Sequence, residues 1–523
     1  MSDNHTITES QRKFSKSLSA FSSATLLSRI LGYVRDAMVA AFFGGGMVTD
    51  AFYAAFKIPN LLRRFFGEGS MTAAFIPVFS DVLAKKGKEE SKHFFHALLS
   101  ALFLVLVVIV ALGIFFAPQV ARLVAWGFAD DPAKMQLTIE LVQLTFPFLL
   151  IISFAAMVSA VLNAHGRFFI PAVAPSGLSV GEIAFIAFFA ARSPSPIHGL
   201  AVSAVIGVGL HFLAQLPALY KQGYSLKWAN PFSNPDVKRV FILMGPTVLG
   251  LSADQINSFV DQLCASFLRD GSITALYNSN RVMQLPLALF GIAVASVSLP
   301  AFSRLASEGK NEEFKDTLNF SLRVANFILI PAFAGLAVLG FPIVQALFER
   351  GKFTTEQSWL TYTTLVPYAL GLPAYSAVKI LASAFYARKD THTPAKIAMA
   401  TVGVNTLLCV TLMQFLAAPG LALASAISAW VQTFVLFVIL RKRVGLLGGR
   451  SLMKSFLWSV LSGTMMAGLC YIVAFRWLGD SSVYIRVFVS IAIGAPAYFA
   501  AAKLFNVPEY HFFIRSLLKR KTS

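Results

Sequence analysis

Several cations sit in stretches that are otherwise apolar enough to enter hydrocarbon. The segment DAFYAAFKIPNLLRRFFGEGS, residues 50–70, carries Lys57, Arg63 and Arg64, with Asp50 and Glu68 near its ends. The apolar run before it holds Ser28, Arg29, Arg35 and Asp36, and a later one holds Asn280, Arg281 and Gln284. A charge at the centre of a membrane span costs about 2.5–3.5 kcal/mol on insertion scales, so such groups face a partner or a water-filled cavity. Asp50, Lys57 and Arg64 recur every seven residues, with Asn60 between them on the same helical face. Arg29 and Asp36 share another stripe, and Arg35 lies about a third of a turn away. Snorkelling to the interface and structural ion pairing account for single arginines near a span end, Arg63 and Arg64 above all. The cations nevertheless exceed the nearby anions by about two charges, which calls for an anionic guest. Guanidinium forks take phosphate oxygens bidentately, so these residues form a candidate phosphate site.

A second constellation is Asp254, Asn257 and Asp261, spaced to lie on one helical face. Two carboxylates there could take Na⁺ or H⁺ for ion coupling, and pairing with a cation such as Lys379 is the competing structural account. Cys264, Cys409 and Cys470 lie singly in apolar runs, and His165 and His211 are scattered, so the spacing gives no metal site and no disulfide framework. No phosphate loop of the GxxxxGK[ST] kind occurs, so transport would draw on the membrane potential or on Na⁺ or H⁺, with no organic cofactor.

The elements that must position these groups are membrane helices. The chain has 523 residues, of which 56% are hydrophobic and 13% charged, with a mean hydropathy of +0.68. Runs near or above the roughly 20 residues needed to cross a bilayer recur along it, and they lack the short alternation of a β-barrel. Candidate spans centre near 17–43, 48–83, 93–121, 137–163, 168–192, 198–221, 238–268, 272–304, 319–347, 357–386, 395–417, 419–441, 453–476 and 483–504. The expectation is an all-α polytopic protein of about 14 helices, the second and eighth broken by polar residues, with Pro59 kinking the second. The net charge of +19 is a topology signal, not a nucleic-acid footprint, because the cations gather in alternate connections. Placing both termini in the cytoplasm gives roughly 28 Lys and Arg to the inner loops and roughly 7 to the outer ones.

The halves also repeat. PVFSDVLAKKGKEE (77–90) matches PAFSRLASEGKNEE (300–313) with one residue deleted, and NAHGRFFIPA (163–172) lines up with YARKDTHTPA (386–395). The common offset corresponds to six spans, an even number, so the copies are parallel, and transporters built from such repeats bind substrate near the midplane. The resulting domains are a cytoplasmic tail 1–16, a first lobe 17–222, a second lobe 223–443, a helix pair 444–507 and a tail 508–523.

SRILGYVRDAMVAAFFG, TDAFYAAFKIPNLLRRFFGEG and FYARKDTHTPAKIA resemble the MurJ (MviN) family of lipid II flippases, within the multidrug/oligosaccharidyl-lipid/polysaccharide exporter superfamily. The resemblance covers nearly the whole chain. It implies two six-helix lobes in a V around a cationic cavity, with the last two helices forming a groove for the lipid tail. The implied activity is translocation of undecaprenyl-diphosphate-linked disaccharide-pentapeptide to the periplasmic leaflet by alternating access, for peptidoglycan synthesis. The implied setting is the bacterial cytoplasmic membrane, as a monomer among membrane lipids and the cell-wall synthesis machinery, without nucleic acid. The family's cavity arginines fall on Arg29, Arg35, Arg64 or Arg63, and Arg281, and its acid at the start of the second span on Asp50. Asn280 and Gln284 stand where many relatives have acids, which makes this cavity more positive. The competing functions are a flippase for another polyprenyl-diphosphate-linked oligosaccharide and a drug/cation antiporter of the same superfamily. A glycosyltransferase would need catalytic carboxylates and larger outer loops, so no enzyme is expected.

Overall fold

The computed structural model describes residues 9–232 and 234–511, which fall into two compact units, 1–255 and 256–523. Unit 1 contains α1 (Glu9–Phe43), α2 (Met47–Arg63), α3 (Ser70–Phe115), α4 (Ala117–Val124), α5 (Pro132–Thr145) and α6 (Pro147–Ala164). It continues with α7 (Phe169–Val173), α8 (Ser176–Phe188), α9 (Pro196–Lys221) and the first part of α10 (Pro235–Ala265). Unit 2 takes the rest of α10, then α11 (Ser272–Pro286), α12 (Ala293–Ser307), α13 (Asn311–Phe348), α14 (Thr355–Leu370) and α15 (Leu372–Ala387). It ends with α16 (His392–Leu416), α17 (Ala418–Val444), α18 (Gly449–Tyr471) and α19 (Val483–Leu504). Among the described residues, 11 helical stretches are long and apolar enough to cross a membrane. One of them, Met47–Phe115, holds both the second and third expected spans. The first and seventh fall on α1 and α10, of 35 and 31 residues, outside that set.

Irregular turns interrupt the second and eighth expected spans. α2 stays helical past buried Pro59 to Arg63, and a π-helical segment Arg64–Glu68 follows, ending at Gly69 (φ −107°, ψ −98°). A π turn absorbs one extra residue, and Gly67 and Gly69 bracket the place where it does so. A second π segment, Leu287–Ile292, follows Pro286 at the end of α11. α3 bends once more, at Gly87, whose φ of +85° and ψ of −177° only glycine adopts readily.

The core of unit 1 forms where the two arms of α3 meet α6 and α9: Phe75, Phe79, Phe94 and Phe95 pack against Val158, Val161 and Leu219. The chain after α9 turns back along α3. Tyr224 shares a hydrogen bond with Ser91 (2.8 Å), His96 Nε2 meets the Ser225 carbonyl (2.8 Å), and the Ala229 N–H donates to Ser100 Oγ (3.1 Å). Lys86 and Arg239 then pair with Asp236 (2.8 Å) and Asp81 (3.1 Å). These contacts draw the start of α10 into unit 1, so the division falls between Gln255 and Ile256, beyond the 222/223 boundary read from the sequence.

α8 and α9 touch backbone to backbone. A Cβ at Gly181 would stand 2.7 Å from Gly207 Cα, and one at Gly207 would stand 2.8 Å from Leu178 Cα, so only glycine fits. In unit 2, Phe302, Phe314, Ile380, Phe385 and Leu436 form the core between α12, α13, α15 and α17. α18 and α19 pack on α13 through Phe327, Leu339, Met466 and Tyr498, whose hydroxyl donates to the Phe327 carbonyl (2.6 Å). Glu509, almost fully buried, accepts from Arg323 of α13 and from Ser455 of α18 (3.0 Å) and ties the three elements together.

Candidate functional site

Within unit 1 the polar residues of α1 and α2 separate into three settings. The first is a buried charge cluster. Arg35 donates through Nε and Nη2 to Asp36 Oδ1 at 2.9 and 2.6 Å, and its Nε lies 3.5 Å from Glu182 Oε2 of α8. The side chain of Arg35 is 13% exposed, that of Asp36 2% and that of Glu182 6%. Arg35 was expected to meet a ligand, yet it faces two carboxylates. Glu182 was missed although it is the lone acid in the fifth expected span, which was itself a sufficient signal.

The second setting is at the start of α2. Asp50 lies in the first turn and is buried, and Lys134 Nζ of α5 approaches it at 3.8 Å while resting 3.9 Å from the Phe128 ring centroid. α5 is started by Asp131, whose side chain accepts from the Lys134 N–H (3.0 Å). Asp50 therefore takes part in a structural ion pair with a residue that sequence spacing placed in an outer loop.

The third setting is less buried. Arg29 and Arg64 are exposed, Ser28, Lys57, Asn60 and Arg63 are half-buried, and Arg63 Nε donates to Asn60 Oδ1 (3.0 Å).

In unit 2, α11 buries Asn278, Ser279, Val282 and Met283, and Ser279 Oγ donates to the Thr361 carbonyl of α14 (2.7 Å). The remaining face carries half-buried Asn280 and Arg281 and exposed Gln284, whose amide donates to Asn280. Two neutral side chains thus bond to each other on the face that carries Arg281.

The acids of α10 part company. Asp254 is exposed, whereas Asp261 sits in a shell from two other helices. Asn405 Nδ2 (3.0 Å) and Cys409 Sγ (3.3 Å) of α16 donate to Oδ1, and Ser425 Oγ of α17 (3.0 Å) donates to Oδ2. Asn405 and Cys409 are four residues apart, one above the other on α16. These donors are neutral, and Lys379, the cation considered as a partner, is exposed on α15. Asn257, between the two acids, keeps a buried Oδ1 with no hydrogen-bond partner.

Asp390 sits between α15 and α16. Burial pushes its carboxyl up, and the Thr393 hydroxyl and N–H and the Arg443 guanidinium outweigh that and hold it at about 2.

The chain was compared with known proteins. The family model "Lipid II flippase MurJ" matches residues 39–491. A probable lipid II flippase MurJ of Rhizobium tropici is 34% identical over 509 residues, covering 95% of each chain. The lipid II flippase MurJ of Burkholderia cenocepacia is 33% identical over 470 residues, covering 89% of this chain and 91% of its own. A solved structure of lipid II flippase MurJ in an inward closed conformation superposes with a TM-score of 0.78 at 28% identity, covering 94% of this chain and 99% of that one. An inward-facing multidrug resistance MATE family transporter of the MOP superfamily gives a TM-score of 0.67 at 12% identity, a likeness of fold.

Proposed function

The chain belongs to the MurJ lipid II flippase family, and we propose that it carries lipid II from the cytoplasmic to the periplasmic leaflet by alternating access. It is a transporter and not an enzyme. The observation that carries the phosphate reading is the contrast in exposure among the cations. Arg35 is met by Asp36 and Glu182, while Arg29 and Arg64 are exposed and Arg281 is flanked by neutral Asn280 and Gln284. Arg29, Arg63, Arg64 and Arg281, with Lys57, bind the diphosphate; Arg35, with Asp36, positions α1 for them. Asp50 serves the fold through Lys134. The drug-antiporter alternative would want an anionic or aromatic cavity for a cationic guest, which these faces do not supply.

The two-fold duplication gains support from backbone geometry. Left-handed residues recur 222 or 223 positions apart: Gly87 and Gly309, Gly166 and Lys389, Gly223 and Gly445. The two π segments, beginning at Arg64 and Leu287, are 223 apart. The bond of His96 to the Ser225 carbonyl has its counterpart in Asn319 donating to the Gly448 carbonyl (3.1 Å), both partners displaced by 223. We read the chain as two parallel six-helix repeats, with α18 and α19 appended to the second. The hollow of about 240 Å³ that Ala346 lines with Tyr484, Val487, Phe488, Ile491 and Ala492 is apolar, as contact with a lipid tail requires. Both termini are cytoplasmic in this reading, the protein acts as a monomer, and it hands its substrate to cell-wall synthesis outside the membrane.

The membrane potential drives the cycle: a negative interior favours outward movement of the diphosphate and draws the empty cationic face back. Asp261 adds a Na⁺ or H⁺ site, for which the partnerless Asn405 Oδ1 is a further oxygen ligand. The test is the appearance of labelled lipid II in the outer leaflet of cells that depend on this protein. Transport should be lost in Arg29→Ala and Arg281→Ala at normal abundance. Transport at the unmodified rate in both variants would refute the phosphate site.

A further inference from the structure

In unit 1 the connection between α9 and α10 does not stay at the ends of its helices. Tyr224 and Ser225 begin beside Ser91 and His96 of α3, with contacts of 2.8 Å each. Four residues on, the Ala229 N–H reaches Ser100 Oγ (3.1 Å), and the Trp228 ring stands edge-on to Phe103 with 6.1 Å between centroids. The chain therefore climbs alongside α3 in the same direction. It then turns back: the Phe232 N–H donates to Asn230 Oδ1 (3.0 Å), and the Asn234 amide is again at Glu90 Oε1 (3.3 Å). Asn230 and Asn234 each accept from the N–H two residues on, and Pro231 and Pro235 have no N–H to give a helix. These residues set an extended, turning course. In the repeat register Leu226 corresponds to Gly449, 223 positions on, where α18 begins, so unit 2 has helix where unit 1 has this loop.

The climb carries the loop into an apolar zone. From Phe94 to Phe116, α3 has no Asp, Glu, Lys or Arg. At the helical rise, Ser100 lies about 9 Å beyond the start of that run, and one leaflet contributes about 15 Å of hydrocarbon. Past Ser100, α3 leaves Phe103, Leu104, Val107 and Val108 exposed, and the Trp228 ring joins that lipid-facing surface. Leu226 and Ala229 pack inward against the core of unit 1, so the backbone stays on α3. Trp228 and Phe232 point the other way and are 64% and 91% exposed. Two large rings held out by a loop whose other residues pack inward are unfavourable in water and favourable among acyl chains. Lys221, Lys227 and Lys238 are exposed along the same connection. Rings of this kind beside lysines that can extend to the headgroups are the composition of an interfacial anchor.

We propose that residues 225–232 are a lipid-inserted anchor. Trp228 and Phe232 enter the acyl chains of the adjoining leaflet, and Lys221, Lys227 and Lys238 meet the phosphates of anionic phospholipids. That leaflet is the cytoplasmic one in the topology proposed above, and the insertion itself does not depend on this assignment. The loop leads directly into Asn234 and Asp236, which hold the start of α10 to Glu90 and Lys86. The helix that leaves unit 1 thus begins from a point fixed by lipid as well as by protein.

The test is a spin-label depth measurement on the full-length protein in nanodiscs of phosphatidylethanolamine and phosphatidylglycerol. Nitroxides are placed on Trp228→Cys and Phe232→Cys, one at a time, with Cys264, Cys409 and Cys470 replaced by Ala. Relaxation by O₂, which concentrates in lipid, is compared with relaxation by a water-soluble nickel complex. The references are Val108→Cys on the lipid-facing side of α3 and Glu89→Cys, whose native side chain is 86% exposed, for water. Both loop labels should follow Val108→Cys, with nickel collisions several-fold below those at Glu89→Cys. Labels that meet nickel as freely as Glu89→Cys overturn the proposal. So do labels sheltered from both reagents, because protein and not lipid would then cover the rings. The double variant Trp228→Ala with Phe232→Ala removes two exposed rings and should melt in detergent where the unmodified protein does. In nanodiscs its cleavage by protease within 225–232 should rise at least about tenfold, since each ring withdrawn from lipid forfeits the transfer free energy of a large side chain. Cleavage equal to that of the unmodified protein would mean that the rings anchor nothing.

Discussion

Arg35→Ala should injure the fold before it injures transport. The substitution leaves Asp36 and Glu182, both under 10% exposed, without the guanidinium that lies 2.6 and 3.5 Å from their oxygens. At an effective dielectric of about 20, these pairs attract by roughly 6 and 5 kcal/mol before desolvation is counted. Removing one partner of a buried ion pair costs about 3–5 kcal/mol net, because the charge left behind has no water to turn to. For a unit of this size that is a fall in Tm on the order of 10 °C. The measurement is thermal unfolding of the purified protein in detergent, together with abundance in the membrane. Adding Glu182→Gln to Arg35→Ala removes one stranded charge and should return about 1–3 kcal/mol as a coupling energy. Arg29→Ala, on an exposed side chain, should stay within about 0.5 kcal/mol of the unmodified protein, yet lose transport. If Arg35→Ala melts where the unmodified protein does, the two carboxylates are solvated and the division between positioning and binding arginines is wrong.

Three further outcomes are expected. Lys134→Met keeps the stem over Phe128 but strands buried Asp50, so Tm should fall by several degrees, and adding Asp50→Asn should restore part of it. Gly181→Val must push α8 off Gly207, carrying Glu182 away from Arg35, and should lower both stability and transport where Gly209→Ala, with open space around it, changes neither. Asp390 has its carboxyl depressed in the folded protein, so its contribution is present above the unfolded value near 3.8 and is lost as pH falls from about 4 to about 2. Proteolysis at 387–393 should rise over that interval, and in Asp390→Asn it should be high throughout; a flat profile in the unmodified protein would count against the Arg443 clasp.

Helix positions were legible because hydropathy needs only the chain itself: twelve of the expected spans coincide with helical stretches of membrane-crossing length, and two lie on α1 and α10. The π form of the two interruptions was not, because a π turn depends on what the neighbouring helix can accommodate. Spacing placed Arg29 and Asp36 on one stripe, but Asp36 binds Arg35, its neighbour in sequence, through a side-chain geometry that periodicity does not describe. Glu182 and Lys134 were readable as residues and unreadable as partners, since pairing across helices depends on which faces meet. The shell of Asp261 is built from Asn, Cys and Ser, types too common in apolar runs to stand out.

The clasp of Glu509 on Arg323 has a consequence in time. Arg323 enters the membrane region with α13, but its carboxylate is synthesised 186 residues later. At ordinary translation speeds of about 5–20 residues per second, the guanidinium waits roughly 10–40 s for its partner. During that interval it must borrow a lipid phosphate or stay at the interface, and α18 lacks the acceptor for Ser455. The second unit therefore cannot finish assembling in the order in which it is made. Its α13, inserted early, is locked by a residue made only after α18 and α19, and a pulse-chase should show its protease resistance arriving as a discrete late step that Glu509→Ala removes.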